Sequence, residues 1–124
     1  MSDLADFLSI YAKSYESYDP EKVAKFFHCP CIFFLRSEST LLDTWEGIHT
    51  FLEAGLRIYR NNGCFIFKAF LHEERLVGPR YALIDVGWAP ENADGLRVMN
   101  FETTYNLVKE PSGWKVAVIT RHDM

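Results

Sequence analysis

The stretch Asn61-Asn62-Gly63-Cys64-Phe65-Ile66-Phe67-Lys68-Ala69-Phe70-Leu71-His72 decides the fold. Ahead of it, Trp45, Ile48, Phe51, Leu52, Leu56 and Tyr59 recur at spacings of three and four, which is one face of a helix. Asn61-Asn62-Gly63 ends that helix, because Asn and Gly tolerate the left-handed cap. Beyond Gly63 the pattern turns extended, and Cys64 to Leu76 reads as a long strand. Gly78-Pro79 punctuates, Arg80 to Ala89 is a second strand, and Pro90 to Gly95 is a turn. Leu96 to Val108 is a third strand, Lys109 to Gly113 a hairpin connection, and Trp114 to Arg121 the last strand. Consecutive strands joined by short turns predict an antiparallel meander.

Upstream the pattern is helical. Leu4, Phe7, Leu8, Tyr11 and Tyr15 form one stripe over residues 3–17, with Ser2 or Asp3 as the cap. Asp19-Pro20-Glu21 is a helix start, with a capping carboxylate, proline in the first turn and an acid after it; the helix predicted there covers 20–27. Cys31 to Leu35 is rich in β-formers and reads as a buried strand. Ser37 to Leu42 is a polar connection with room for a short strand, and Asp43 or Thr44 caps the third helix. Helices at one end of the chain and strands at the other give α+β rather than α/β. A mostly antiparallel sheet that twists over three helices makes a cone with a central pocket.

The chain has 124 residues, which suits one domain over 1–124. Apolar residues are 48% and charged residues 24%, which excludes a disordered chain and a coiled coil. The net charge of −4 and the scattered basic residues argue against nucleic-acid binding. No run approaches the roughly 20 apolar residues of a membrane span, and the N-terminus carries no signal-peptide pattern. The three cysteines are odd in number, so reduced thiols and a cytoplasmic location are expected. No glycine-rich phosphate loop is present, and no cofactor is expected. His28-Cys29-Pro30-Cys31 lacks a zinc spacing and a second cluster; the expectation is a helix-to-strand joint broken by Pro30, with no metal.

This order of elements resembles the nuclear transport factor 2-like superfamily, with its SnoaL-like and ketosteroid-isomerase-like members. Tyr15 to Phe27, with its Asp19-Pro20-Glu21-Lys22-Val23-Ala24-Lys25-Phe26-Phe27 run, carries part of the likeness. The helix start Trp45-Glu46-Gly47-Ile48 and Phe51, and the closing hairpin from Tyr105 through Gly113-Trp114-Lys115-Val116 to His122, carry the rest. The resemblance implies a cystatin-like α+β cone and a homodimer through the sheet face. It implies no single activity, because the superfamily holds isomerases, cyclases, dehydratases, enzyme subunits and binding domains. The expectation of a dimer rests also on a sheet face that no helix covers.

Asp85 stands inside the apolar run Ala82 to Trp88. A carboxylate there is paired, bonded or facing a wet cavity. In an apolar pocket its pKa would rise and suit proton transfer, as carboxyl groups do in ketosteroid isomerase. On the outer sheet face it is a structural residue. His122, in a region that lines the mouth of the cone in similar proteins, is either an acid/base partner or a solvated terminal residue. Setting Val108 opposite Trp114 places Asn100 near His122. Asn100, Glu102, Thr104 and Asn106 share one face, which is a pocket wall or a solvated or dimer-facing surface. Tyr11, Tyr15, Tyr18, Phe33, Tyr59, Trp88 and Tyr105 are candidate pocket residues, or plain core.

Three functions follow. The first is binding of a small apolar or aromatic molecule. The second is cofactor-free acid/base catalysis through Asp85 and His122. The third is a dimerising module with a filled cavity.

Overall fold

A computed structural model describes residues 3–122. Ser2, the alternative first cap, lies outside them. Helix α1 spans Asp3–Ser14 and buries Leu4, Phe7, Leu8, Tyr11 and Ala12. It stops short of the predicted 17 because Ser14 turns its hydroxyl back onto the Tyr11 carbonyl (2.6 Å), and a 3-10 turn, Tyr15–Ser17, follows. Tyr18 then takes a left-handed backbone, φ 55°. Helix α2 is only Pro20–Ala24, with Asp19 accepting from the Glu21 amide at 3.0 Å.

Strand β1 runs Phe27–Phe34, so it begins before Pro30 rather than after it. Proline has no N–H to give a ladder, and the pairing of β1 with the last strand shifts between Phe27 and Ile32. Strand β2 is Ser39–Leu42. Helix α3 is Trp45–Asn61, with Thr44 accepting from the Gly47 amide at 3.0 Å. Its buried face begins at Ile48. Trp45, expected on that face, is 55% exposed in the first turn.

Four strands complete the chain: β3 Ile66–Val77, β4 Tyr81–Glu91, β5 Phe101–Glu110 and β6 Gly113–His122. They form the predicted antiparallel meander, and β1 closes it by pairing in parallel with β6. The sheet order is β2-β1-β6-β5-β4-β3, curved around the helices. Pro90 and Glu91 belong to β4, not to a turn. The turn sits later, where the Asn92 side chain accepts from the amides of Asp94 (2.9 Å) and Leu96 (3.0 Å). Residues 96–100 are therefore outside β5.

Side chains alternate across the strands. On β4, Ala82, Ile84, Val86 and Trp88 face the helices. On β5 and β6, Phe101, Thr103, Tyr105, Leu107, Val116 and Ile119 do the same. Among the described residues, no helix covers the other face.

Candidate functional site

The helix-facing side of the sheet is not filled everywhere. Between α3 and strands β1, β5 and β6 lies a cavity of about 360 Å³. Its walls carry the rings of Tyr15, Phe33, Phe51, Tyr59, Phe101 and Tyr105. The volume is at the low end of the roughly 300–1,000 Å³ typical of small-molecule pockets. Phe33 and Phe51 meet at 4.5 Å between centroids, and Tyr59 stacks on Phe101 at 6.2 Å. Gly55 lies in the middle of α3 on the cavity's roof, and a Cβ built there meets nothing within 4 Å.

The polar groups of the wall are hydroxyls, one cation and a rim carboxylate. The Trp88 indole N–H donates to the Tyr105 hydroxyl at 3.0 Å. Tyr105 is bonded to Tyr11 and to Thr103, and Tyr11 to Tyr15 at 2.6 Å. Indole is only a donor, so the Tyr105 oxygen accepts there and its proton goes elsewhere. If protons run toward Tyr15, the Tyr15 proton is the surplus. If they run toward Thr103, the threonine proton is. Both ends line the cavity, so either direction leaves a donor for a ligand oxygen.

These phenols stay neutral. Burial pushes Tyr11, Tyr15 and Tyr105 well above the ordinary range; neighbouring phenols add to it at Tyr11 and Tyr15, while hydrogen bonding pulls Tyr105 part of the way back. Tyr59 is pushed up to about 12, chiefly by burial, with the Arg121 charge pulling the other way. Arg121 stands opposite Thr103 in the β5–β6 ladder, with its guanidinium 4.1 Å from the centre of the Phe101 ring. Glu38 is exposed at the rim.

Of the candidate ligand residues, Tyr15, Phe33, Tyr59 and Tyr105 line this cavity. Tyr11 and Trp88 lie behind its wall, in the core. Tyr18 is elsewhere: its hydroxyl donates to the Cys64 carbonyl at 2.5 Å, and the Arg60 guanidinium sits 4.6 Å from its ring centre. Asn100 is exposed ahead of β5 and not opposite His122. Lys109, not Val108, opposes Trp114, and a bulge at Asn106/Leu107 shifts the ladder again, so Glu102 opposes His122.

Asp85 and His122 do not reach the cavity. Asp85 alternates with Ile84 and Val86, which points it to the helix-free face. There its Oδ1 accepts from the Thr104 hydroxyl at 2.5 Å, and Thr104 Oγ1 meets His122 Nε2 at 2.6 Å. The single threonine proton goes to the carboxylate, so the imidazole Nε2 is the donor to Thr104. Beside this chain, His72 Nε2 and a Glu102 carboxylate oxygen lie 3.3 Å apart. They cross over Gly87, where a Cβ would come within 2.3 Å of the imidazole. Cavity residues that the sequence did not mark as ligand candidates include Phe51, Gly55, Phe101, Thr103 and Arg121. Period-two spacing from Tyr105 points to Thr103 and Phe101, and the corrected register then finds Arg121.

A family profile described as "NTF2-like protein (DUF6841)" matches residues 2–124. The chain belongs to this NTF2-like family. Solved structures share the fold of this NTF2-like domain at low identity. An NTF-2 like protein of unknown function from Shewanella oneidensis superposes with TM-score 0.75 at 12% identity, over 98% of this chain and 97% of that one. A domain of unknown function with a cystatin-like fold from Nostoc punctiforme gives TM-score 0.75 at 16% identity, over 98% and 75%. An NTF2-like protein with a cystatin-like fold from Novosphingobium aromaticivorans gives 0.69 at 12% identity, over 96% and 78%. Comparison with curated proteins finds no match.

Two further properties bear on chemistry. Burial pushes the Cys31 thiol up to about 11 and raises that of Cys64, so neither is an activated thiolate in this NTF2-like domain. Among the described residues, no group of three or more His, Cys, Asp or Glu side chains is placed to hold a metal ion, and no helix is long and apolar enough to cross a membrane.

Proposed function

We propose that this NTF2-like domain binds a small ring-bearing molecule in the cavity under α3. The observation that carries the reading is the cavity itself, ringed by aromatic side chains and with a surplus hydroxyl donor at its wall. Acid/base catalysis by Asp85 loses its support, since the carboxylate lies on the opposite side of the sheet. Among the lining residues, Glu38 is the carboxylate, and it is exposed at the rim.

Gly55 provides the test. Glycine inside a helix costs about 1 kcal/mol relative to alanine. Gly55→Ala is therefore expected to raise stability by about that much. Gly55→Phe is expected to keep the fold and block the cavity. A naphthalene-class fluorescent probe should bind the parent and Gly55→Ala, and fail to bind Gly55→Phe. Equal binding to all three would place the ligand elsewhere and end the proposal.

The helix-free sheet face supports a second part of the reading: pairing with another copy of the chain. Phe34, Leu41, Phe70, Val77 and Tyr81 are exposed there, each by 44% or more. A groove of about 480 Å³ runs among Val77, Tyr81, Leu83, Asn106 and Val118. Apolar patches of this kind on a sheet are commonly covered by a partner. Sedimentation at micromolar concentration is expected to give a particle of twice 14.4 kDa. A monomer-sized particle would defeat the pairing.

A further inference from the structure

Three of the chain's four histidines stand on the helix-free sheet face, each linked to a carboxylate. His122 Nε2 donates to Thr104, which donates to Asp85. His72 Nε2 lies 3.3 Å from Glu102, across Gly87. His28 lines the groove with Val77, Tyr81 and Val118, and its Nε2 lies 3.8 Å from Glu110. His28 Nδ1 meets the Pro30 carbonyl at 2.9 Å and is the donor there, so only a second proton gives Glu110 an N–H. The fourth, His49, is exposed on α3.

These pairs are interleaved with apolar residues of the pairing surface. Phe70, Gly87, Glu102 and His122 are successive ladder partners, and so are Phe34, Thr120, Thr104, Asp85 and Glu73. A second copy that covers Phe34 and Phe70 therefore takes water from the carboxylates as well. The fixed cations nearby have other neighbours. Lys68 is 3.5 Å from Glu91, Lys115 donates to the Lys25 carbonyl at 2.7 Å, and Arg80 is 5.5 Å from the Tyr81 ring centre. Arg75 stands opposite Leu83, on the same face as Glu73. A carboxylate taken out of water is costly unless a cation joins it. Asp85, Glu102 and Glu110 gain that cation when the imidazole linked to each takes a proton. Imidazole is the side chain that ordinarily changes charge between pH 5 and 8.

We infer that pairing of two copies through this face takes up protons on His28, His72 and His122, so the dimer tightens as pH falls from 8 to 6. This rests on the reading of that face as a pairing surface. It adds the condition under which the surface closes and the residues that sense it.

The test is sedimentation equilibrium of the full chain at pH 8 and pH 6, which gives the dimer Kd at each. By linkage, each proton taken up on pairing changes Kd about tenfold per pH unit. The Kd is expected to fall at least about tenfold between the two. Changing the three histidines together, His28→Asn, His72→Gln and His122→Gln, should shrink that change to less than about threefold. His49→Gln, off the face, should keep it in full. Glu102→Gln leaves every histidine in place, and should tighten the dimer at pH 8 and narrow the pH response. Circular dichroism checks that each chain is folded at both pH values. A dimer of equal Kd at both, or one that loosens as pH falls, overturns the proton uptake and leaves the pairing standing. A pH response that survives the triple change, or an unchanged response in Glu102→Gln, also overturns it. A particle of 14.4 kDa at both pH values and every concentration defeats the pairing, and this inference with it.

Discussion

Raising the pH above 10 is expected to unfold this protein. Tyr11, Tyr15 and Tyr105 are held well above the ordinary tyrosine value, and Tyr59 is held at about 12, in each case first by burial. In the unfolded chain all four ionise near 10. Above that value the unfolded state has lost protons that the folded state still binds, so stability falls as pH rises. Below it the contribution is fully present. For Tyr59 alone, the interval from 10 to about 12 removes on the order of 3 kcal/mol. The other three act over a window that opens at the same point. Together they reach roughly 5 kcal/mol per pH unit once well into it, against a typical total of about 5–15 kcal/mol. The tyrosinate absorbance of these residues should therefore appear together with loss of the near-ultraviolet circular dichroism, at about one to two units above 10. Tyrosinate signal from most of the tyrosines, with the near-ultraviolet spectrum intact, would mean that water reaches the cluster in the native state.

The fold was legible because its order of elements is written in a change of period. The helical stripe that ends at Asn61-Asn62-Gly63 and the extended runs after it predict the meander that the ladders show. The caps at Asp19 and Thr44 were readable from side-chain chemistry alone. Boundaries were less so, since each depends on a tertiary partner. Pro30 looks like a break in sequence, yet β1 passes through it, because its pairing with β6 skips the residues around the proline. Pro90 looks like a turn, yet it stands opposite Phe67 in the β3–β4 ladder, and its carbonyl accepts from the Val98 amide at 2.8 Å.

The site was legible in part, for a different reason. That ring side chains would wall a pocket follows from composition and fold, and Tyr15, Phe33, Tyr59 and Tyr105 lie where a cone would put them. The facing of Asp85 was not readable from its apolar neighbours. A strand buried on its helix side and half-covered on the other also reads as continuously apolar, so a lone carboxylate in it marks no face. The facing of the polar residues on β5 and β6 turns on register. One bulge at Asn106/Leu107 moves the partner of His122 to Glu102 and brings Arg121 opposite Thr103. No local pattern in the hairpin announces that bulge.

Truncating Tyr11 should be the most damaging single change. Its side chain is 0% exposed and meets the rings of Phe7, Tyr15, Phe26, Phe27, Trp88 and Tyr105 at centroid distances of 5.2–6.1 Å. Tyr11→Ala removes the shared neighbour of α1, β1, β4 and β5, and is expected to cost about 3–5 kcal/mol. That is enough to leave much of the chain unfolded at 37 °C if its total is near the lower end of the usual range. Tyr11→Phe separates packing from hydrogen bonding. It keeps the ring and removes the hydroxyl between Tyr15 and Tyr105. Tyr105 retains Trp88 and Thr103, and Tyr15 opens onto the cavity, so the expected cost is only about 1 kcal/mol. Adding Tyr105→Phe to that variant strands the buried Trp88 N–H, and the double change should cost about 1–3 kcal/mol more. Denaturant unfolding of the parent and these three variants resolves these steps. If Tyr11→Phe proved as damaging as Tyr11→Ala, the hydroxyl chain and not the ring packing would hold the helical layer to the sheet.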